Sequence, residues 1–200
     1  MDVLDSRQQF LKVAFKLFSQ NSFKAVTVRD IIKEANLSNG SFYYHFINKE
    51  QIFKEIIHVF LFGISNRINA TSQEDTLLQY IQKRLVRLEE EYSELEKIVG
   101  EDLIEFDIYS LTSEAVRHFP ELREEAMKHQ LLEIQGWMNV IDNAKKQGEI
   151  ESDMDNEIIA KLFVYVQDGD NLNRFIFNVN HKQMVRRLDL LWKNIYDTLR

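Results

Sequence analysis

Hydrogen-bonding groups are concentrated in one short stretch of the sequence, S-N-G-S-F-Y-Y-H at residues 38–45. Hydroxyl, amide, phenol and imidazole groups can bond to phosphate oxygens or to base edges, whereas an ordinary solvated helix would carry Lys and Glu. Small residues at its start let a partner approach the backbone, and free amides at a helix start favour phosphate. The stretch therefore predicts a surface that enters the major groove of DNA. The spacing alone is equally compatible with a helical hairpin whose exterior is simply polar.

Two short helices joined by a tight turn are predicted to position this surface. Thr27 is the predicted N-cap of the first helix, with Asp30 as its acidic partner three residues on. Asn36 is predicted to end that helix, because asparagine accepts the left-handed conformation. The apolar residues that recur at helical spacing and should face inward are Val28, Ile31, Ile32 and Ala35.

The second helix is predicted to begin after Ser38, whose side chain can cap it. Phe42 and Phe46 lie four residues apart and should share its buried side. Its outward side then carries Asn39, Gly40, Ser41, Tyr43, Tyr44 and His45.

Residues 27–52 resemble the DNA-binding segment of TetR-type (TetR/AcrR-like) transcriptional regulators. The matching positions are Thr27, Asp30, Ile31, Ala35, Ser38, Gly40, Tyr43, His45, Phe46 and Lys49. Two departures leave the fold intact: Asn36 stands where the family usually has Gly, and Ile32 where it usually has Ala.

The resemblance implies that the second helix lies in the major groove and that Lys49 contacts a phosphate at the next helix start. It also implies phosphate or base contacts from Thr27, Ser38, Gly40, Ser41, Tyr43, Tyr44 and His45. The neighbouring Val28, Arg29 and Asn39 complete the predicted DNA-binding set. The motif does not indicate the operator or the regulated genes.

The composition favours an all-α protein. The chain has 200 residues, of which 44% are hydrophobic, with one Pro and six Gly, and no strand-like alternation stands out. We expect about nine helices, with a three-helix helix-turn-helix DNA-binding domain at residues 1–47 and a helical effector-binding and dimerisation domain at 48–200.

The absence of Cys excludes disulfides. No signal core or run of about 18 apolar residues is present, so we expect a cytoplasmic protein with no membrane contact.

Cap and stop signals predict the remaining helices. Ser6 with Gln9 predicts the start of the first helix, and Asn48 opens a fourth that should continue to about residues 67–69 and link the C-terminal region to the DNA-binding helices. A helix from about Asp75 should bury Leu78, Ile81, Leu85 and Leu88, and expose the acidic cluster Glu89, Glu90, Glu91 and Glu94. A helix of about 27 residues should follow Pro120, with two more at about 156–178 and 181–199.

Net charge differs between the two ends of the sequence. Residues 1–58 contain eight Lys+Arg and six Asp+Glu, a balance of +2, whereas residues 59–200 contain 17 and 26, a balance of −9. Local placement of basic residues must therefore supply the attraction to phosphate. The candidates are Arg7, Lys12, Lys24, Arg29, Lys33 and Lys49.

The resemblance also implies an effector pocket in the C-terminal region. Residues that could line it are Phe106, Tyr109, Trp137, Met138 and Phe163, with Gln167 and Asp168 orienting a polar end of the effector. All the apolar ones are also ordinary core candidates.

Pro120 separates His118 from His129, so no metal site is expected. No phosphate loop, nucleophile elbow or His-Glu-x-x-His run occurs, so no cofactor and no enzyme activity are expected.

Two functions remain open. The favoured one is a homodimeric repressor that binds a palindromic operator, releases it when a small-molecule effector binds, and dimerises through the last two helices. Gly169, between two aspartates, would permit close approach of a helix or a kink. The alternative is a helical small-molecule-binding or interaction protein whose DNA-binding unit is vestigial.

Overall fold

The computed structural model describes residues 3–58, 75–99, 108–177 and 179–200. Within these ranges all regular structure is helical, which confirms the all-α fold. The nine helices of the described residues are α1 (Val3–Gln20), α2 (Val28–Ala35), α3 (Asn39–His45), α4 (Lys49–Ile57), α5 (Leu77–Val99), α6 (Ile108–His118), α7 (Pro120–Lys146), α8 (Asn156–Phe177) and α9 (His181–Leu199).

The chain divides into two compact units. Unit 1 comprises Met1–Gly63 and Leu95–Glu125, and unit 2 comprises Ile64–Glu94 and Ala126–Arg200. Helices α5 and α7 therefore each contribute residues to both. The predicted boundary after residue 47 separates a DNA-binding domain from an effector-binding domain, and this functional division stays a prediction. The extension of α4 to residues 67–69 lies outside the described residues.

In unit 1, α1 packs against α2, α3 and α4. Phe10 of α1 is fully buried, and its ring meets those of Phe42 and Phe46 edge-on, with centroid separations of 5.3 and 6.3 Å. Aromatic rings in this arrangement contribute beyond their buried area. The predicted inward side of the second short helix is thus confirmed, and α3 rests on an aromatic base.

The predicted start of the first helix at Ser6 is wrong, because α1 begins at Val3 and Ser6 lies inside it. The Ser6 hydroxyl lies 2.8 Å from Nε2 of His45, and Gln9 donates its side-chain amide to the Ala35 carbonyl at 2.7 Å. Both polar side chains therefore join α1 to the ends of α2 and α3. Their sequence spacing matched a capping box, but the two side chains form hydrogen bonds with residues that are distant in sequence.

Unit 2 is built around buried aromatic residues from α5, α7, α8 and α9. Trp137 stacks on Phe163 with centroids 4.5 Å apart and planes 5° from parallel, and Tyr80 and Trp192 meet Trp137 edge-on. The indole of Trp192 donates to the Phe163 carbonyl at 3.0 Å. This packing fixes α8 and α9 against each other.

Two expectations for α5 are wrong. Leu77 is buried and Leu78 is 39% exposed, so the inward face starts one residue earlier than predicted. Glu91 is only 4% exposed and does not belong to a solvated acidic face. The equally buried Arg84 lies about two helical turns earlier on the same side of α5, with its Nη1 3.6 Å from the Glu91 carboxylate. A buried cation of this kind lowers the cost of burying a carboxylate.

The later helix boundaries are confirmed. Helix α7 spans 27 residues from Pro120 and is followed by Gly148 at φ +71°, the left-handed conformation in which glycine commonly ends a helix. Helix α8 continues through Gly169 to Phe177. Among the described residues, no helix combines the length and apolar character that a membrane span requires.

Candidate functional site

The start of α2 is held by a reciprocal capping box. The Thr27 hydroxyl accepts from the Asp30 amide at 3.2 Å, and the Asp30 carboxylate accepts from the Thr27 amide at 2.9 Å. The Thr27 hydroxyl also donates to the Asp30 carboxylate at 2.6 Å, and this bond, followed by the one from the Thr27 amide, lowers the pKa of Asp30 below its ordinary value. Thr27 and Arg29 are exposed and Val28 is half-buried, so the predicted contact residues of this helix start lie at the surface.

The turn between α2 and α3 has the predicted chemistry. Asn36 adopts φ 52° and ψ 42°, in the left-handed region, and its amide bonds to the Lys33 carbonyl at 3.1 Å. The Ser38 hydroxyl then accepts from the Ser41 amide at 3.1 Å and caps α3. Local interactions therefore set both ends of the turn.

We call the outward side of α3 and its cap the reading face, which comprises Ser38, Asn39, Gly40, Ser41, Tyr43, Tyr44 and His45. Tyr43 and Tyr44 are 61% and 75% exposed, although aromatic side chains of this size are usually half-buried or buried. Phe42 and Phe46 behind them are 0% and 1% exposed. The face is thus held rigidly from inside and open outside.

No contact among the described residues requires a glycine at position 40. A Cβ added at Gly40 would meet the Ser38 hydroxyl at 3.8 Å, an ordinary van der Waals distance, and its backbone does not have positive φ. A helix interior normally disfavours glycine. A missing side chain would permit close approach from outside, and that role of Gly40 stays a prediction.

His45 is the one half-buried member at the C-terminal end of the reading face. The bond between its Nε2 and the Ser6 hydroxyl attaches the end of α3 to α1. Its first effect is therefore to hold the helix in position, and a DNA contact from the ring stays a prediction.

Lys49 has a structural role that the sequence did not indicate. Its ammonium donates to the carbonyls of Phe23 and Val26 at 2.7 and 2.8 Å, and lies 4.3 Å from the centroid of the Phe23 ring. An ammonium has three donors, so one remains for a phosphate oxygen. Lys49 fixes the loop that leads into α2, and its predicted phosphate contact is untested.

The remaining basic candidates of unit 1 differ in availability. Arg7 pairs with Glu55 of α4. Lys24, Arg29 and Lys33 have exposed side chains. These three flank the start and the outer side of α2, where they can draw phosphate towards the reading face.

A second set of contacts in unit 1 was missed by sequence reasoning. The amide of Phe23 donates to the Glu114 carboxylate of α6, and the ring of Phe119 lies 5.5 Å from that of Phe23. Lys54 of α4 pairs with Glu121 of α7 at 2.5 Å, which lowers the pKa of that carboxyl. Because these partners are far apart in sequence, no local pattern indicates them. They join α4 and the loop before α2 to the junction of α6 and α7.

The predicted effector-contacting residues fall in three groups. Phe106 lies outside the described residues, and Tyr109 lies in α6 of unit 1, where its side chain is not described. Trp137 and Phe163 are fully buried in the core of unit 2, and Met138 packs beside them. The structure therefore gathers only part of the set.

Gln167 and Asp168 occupy adjacent positions on α8 but differ in environment. Gln167 is 7% exposed, and its Oε1 has no hydrogen-bond partner among the described residues. Asp168 is reached by solvent, yet the protein packed around it, and secondarily Glu133, raise its pKa to about 6. This end of the unit 2 core is polar.

No group of three or more His, Cys, Asp or Glu side chains suited to a metal occurs in the described ranges. The ring of His118 instead lies against that of Phe23, with centroids 5.8 Å apart.

Known proteins resemble both parts of the chain. The family model for bacterial regulatory proteins, tetR family, matches residues 10–56. The chain is 29% identical over 163 residues to the HTH-type transcriptional repressor KstR2 of Rhodococcus jostii (strain RHA1), covering 78% of this chain and 73% of that protein.

Two solved structures show the same fold along most of the chain. SmeT, the repressor of the Stenotrophomonas maltophilia multidrug efflux pump SmeDEF, matches with a TM-score of 0.65 and 16% identity, over 94% of this chain and 89% of SmeT. The regulatory protein TetR from Rhodobacter sphaeroides matches with a TM-score of 0.60 and 15% identity, over 93% and 98%.

The segment matched by the family model begins at Phe10 under the reading face and ends at Ile56 in α4, so it contains the capping box, the turn and α3. With a KstR2 relative along most of the chain and the shared fold, these features support a TetR-type DNA-binding transcriptional regulator.

Proposed function

We propose that the protein is a cytoplasmic, homodimeric repressor that binds a near-palindromic operator and releases it when a small molecule occupies unit 2. The observation that carries the proposal is the reading face, where exposed tyrosines, a small-residue helix start and a buried phenylalanine base occur together. A helix of this size fits the major groove. No catalytic role is proposed.

The dimer is supported by an exposed apolar seam on α8. Its members alternate at spacings of four and three residues, as in a coiled coil. The apolar members are 39–57% exposed, and a Cβ added at Gly169 would meet no atom of the described chain within 4 Å. The seam comprises Ile158, Leu162, Tyr165, Gly169, Leu172 and Ile176.

Such a seam suits a second copy of the same helix, because a two-fold axis pairs identical surfaces. Gly169 at its centre would let the two backbones approach closely. Leu190 and Leu191 of α9 are also exposed, at 63% and 42%, and extend the apolar surface. Two reading faces could then meet half-sites about 34–36 Å apart on one side of the duplex.

Release requires that the effector bind better to dimers whose reading faces are wrongly spaced for DNA. A coupling free energy of about 1–3 kcal/mol would change operator affinity roughly 5- to 150-fold. Helices α5 and α7 each contribute to both units, and the start of α7 holds α4 through the Lys54–Glu121 pair. This continuity supports a route between the effector and the DNA-binding helices.

The test begins with fragments of the protein's own genome that the purified chain retains, followed by titration of the selected sequence. Tyr44→Ala should abolish specific retention while the thermal midpoint is unchanged, because the side chain is 75% exposed. Tyr44→Phe separates the ring from the hydroxyl. Leu132→Ala, at a 41% exposed position in unit 2, is the matched control. Failure of the native chain to select any sequence would contradict the proposal.

A further inference from the structure

We infer that Asn39 gives the reading face its base preference by forming two hydrogen bonds to one adenine in each half-site of the operator. The inference rests on the proposed repressor and names a base that the same face recognises. In the major groove, the edge of adenine offers N7 as an acceptor and N6 as a donor. A carboxamide carries a donor and an acceptor in one plane, so the Asn39 side chain matches both atoms at once.

Asn39 is the reading-face residue that has this combination of groups available. Its side chain is exposed, and no hydrogen bond within the described part of the chain uses its carboxamide. The Ser38 hydroxyl, in contrast, accepts from the Ser41 amide as the cap of α3. The His45 ring bonds to Ser6, and each tyrosine of the face offers a single hydroxyl.

Asn39 also lies where a recognition helix meets the bases. It is the first residue of α3, directly after the Ser38 cap. The N-terminal residues of a docked recognition helix contact base edges, and helical side chains tilt towards the N-terminus, so this carboxamide extends past the end of the helix. A side chain as short as Asn reaches a base only if the backbone comes close, which the neighbouring Gly40 would permit.

The backbone that carries Asn39 is held in place before DNA binds. On the N-terminal side, Asn36 adopts the left-handed conformation, and its amide bonds to the Lys33 carbonyl at 3.1 Å. On the C-terminal side, Phe42 is fully buried, with its ring centroid 5.3 Å from that of Phe10. Such preorganisation reduces the entropy cost of binding and fixes the position from which the carboxamide reaches the base.

The groups that usually select guanine are missing from the reading face. Arg and Lys make the commonest specific contacts to guanine, through its O6 and N7 acceptors, and neither residue occurs at positions 38–45. Arg29 and Lys33 are exposed but belong to α2. Opposite guanine, the Asn39 amide could still donate, but its own oxygen would find no donor on that edge. The face is therefore suited to adenine.

Selection of duplexes from a random-sequence pool by the full-length protein tests the assignment. We expect the native chain to select a symmetric site with an A·T pair in each half. Asn39→Ala should lose the preference at that pair alone and bind the native site about tenfold more weakly per half-site. Asn139→Ala, which removes an exposed carboxamide from α7, should behave like the native chain.

Three outcomes of the selection would overturn the inference. Asn39→Ala could retain the preference of the native chain at every position, or could lose it at a G·C pair instead. It could also bind all sequences more weakly by one common factor, which would mean that the carboxamide contacts a phosphate, since such contacts do not depend on the base.

A modified base tests the same contact in the native protein. Substituting 7-deazaadenine for the selected adenine removes the N7 acceptor and keeps the Watson–Crick pairing. Native binding should weaken about threefold or more, whereas Asn39→Ala should bind both duplexes equally because the partner group is already gone. Equal weakening of the two proteins would show that another residue reads this base, and no weakening of the native chain would show that N7 is not contacted.

Asn39→Asp should change the preference rather than remove it. A carboxylate accepts hydrogen bonds but does not donate them, so it suits the N4 donor of cytosine. We therefore expect cytosine at the position where the native chain selects adenine, and a continued preference for adenine would contradict the inference. Thermal midpoints show whether each variant folds; if one does not, the 7-deazaadenine measurement on the native chain decides.

The outcomes separate this inference from the proposed function. If the native chain selects a specific symmetric site that contains no adenine dependent on Asn39, only the base assignment is refuted. If the native chain selects no sequence at all, the repressor is refuted and the base assignment with it.

Discussion

Gly40→Ala is expected to improve folding and impair DNA binding in the same molecule. A methyl group at this position would lie 3.8 Å from the Ser38 hydroxyl and meet no closer atom of the residues that the structure describes, so they accommodate it without strain. Alanine in place of a helical glycine stabilises by about 0.5–1 kcal/mol. For a chain of this length that corresponds to a rise of roughly 1–4 °C in the thermal midpoint.

The effect on DNA binding has the opposite sign, because the methyl group would occupy the space through which the duplex approaches. Forcing one such group into a packed contact costs about 1–3 kcal/mol, and each 1.4 kcal/mol is about tenfold in affinity. We therefore expect operator affinity to fall roughly 5- to 150-fold per half-site.

Calorimetric melting and equilibrium titration of the operator measure the two effects on the same samples. Gly148→Ala is the control, since Gly148 has φ +71° after α7 and lies far along the chain from the reading face. It should lower the melting midpoint, because an L-residue in the left-handed region costs about 1–2 kcal/mol, and leave operator affinity unchanged. A Gly40→Ala protein that binds normally would refute the role assigned to this glycine.

Four further outcomes are expected. Lys49→Ala should lower the free energy of unfolding by about 1–3 kcal/mol, since two loop carbonyls lose a charged donor. Lys146→Ala on the exposed face of α7 should leave it unchanged. If Lys49→Ala also reduces the salt dependence of operator binding, Lys49 contacts a phosphate as well. Leu162→Glu on the α8 seam should convert the dimer to monomer by sedimentation while helix content is retained, and an intact dimer would exclude the seam. Tyr44→Phe should retain most of the operator affinity if stacking of the ring dominates the contact. It should lose that affinity if the hydroxyl group dominates. Asp168→Asn should raise the melting midpoint above pH 6 and lose that advantage near pH 4, because a carboxyl with a raised pKa destabilises the fold when ionised and ceases to do so once protonated.

The DNA-binding segment was predictable in detail because its structure depends on residues a few positions apart. The Thr27–Asp30 box, the left-handed Asn36 and the Ser38 cap are local hydrogen bonds that the sequence spacing specifies. The inward pair Phe42 and Phe46 follows from the helical period. A resemblance to a known family then supplied the function that the spacing alone left open.

Prediction from local sequence pattern was wrong where a side chain could bond either to a neighbour in sequence or to a residue distant in sequence. Ser6 and Gln9 have the spacing of a capping box, but α1 starts three residues earlier and both groups reach other helices. Lys49 holds the loop before α2, a contact that no local pattern indicates, and its phosphate contact stays a prediction. Glu91 reads as a solvated charge, yet it lies beside buried Arg84.

By itself the sequence determined that the chain is helical, where most helices begin and end, and that residues 38–45 present an outward polar surface, since propensity, capping and periodicity act within a few residues. Only the tertiary structure decided which polar groups are buried and with what partners, such as Arg84 with Glu133 or Phe23 with Glu114. Those choices depend on atoms that are distant in sequence and adjacent in space, and the stabilisation of a buried charge is set by that neighbourhood.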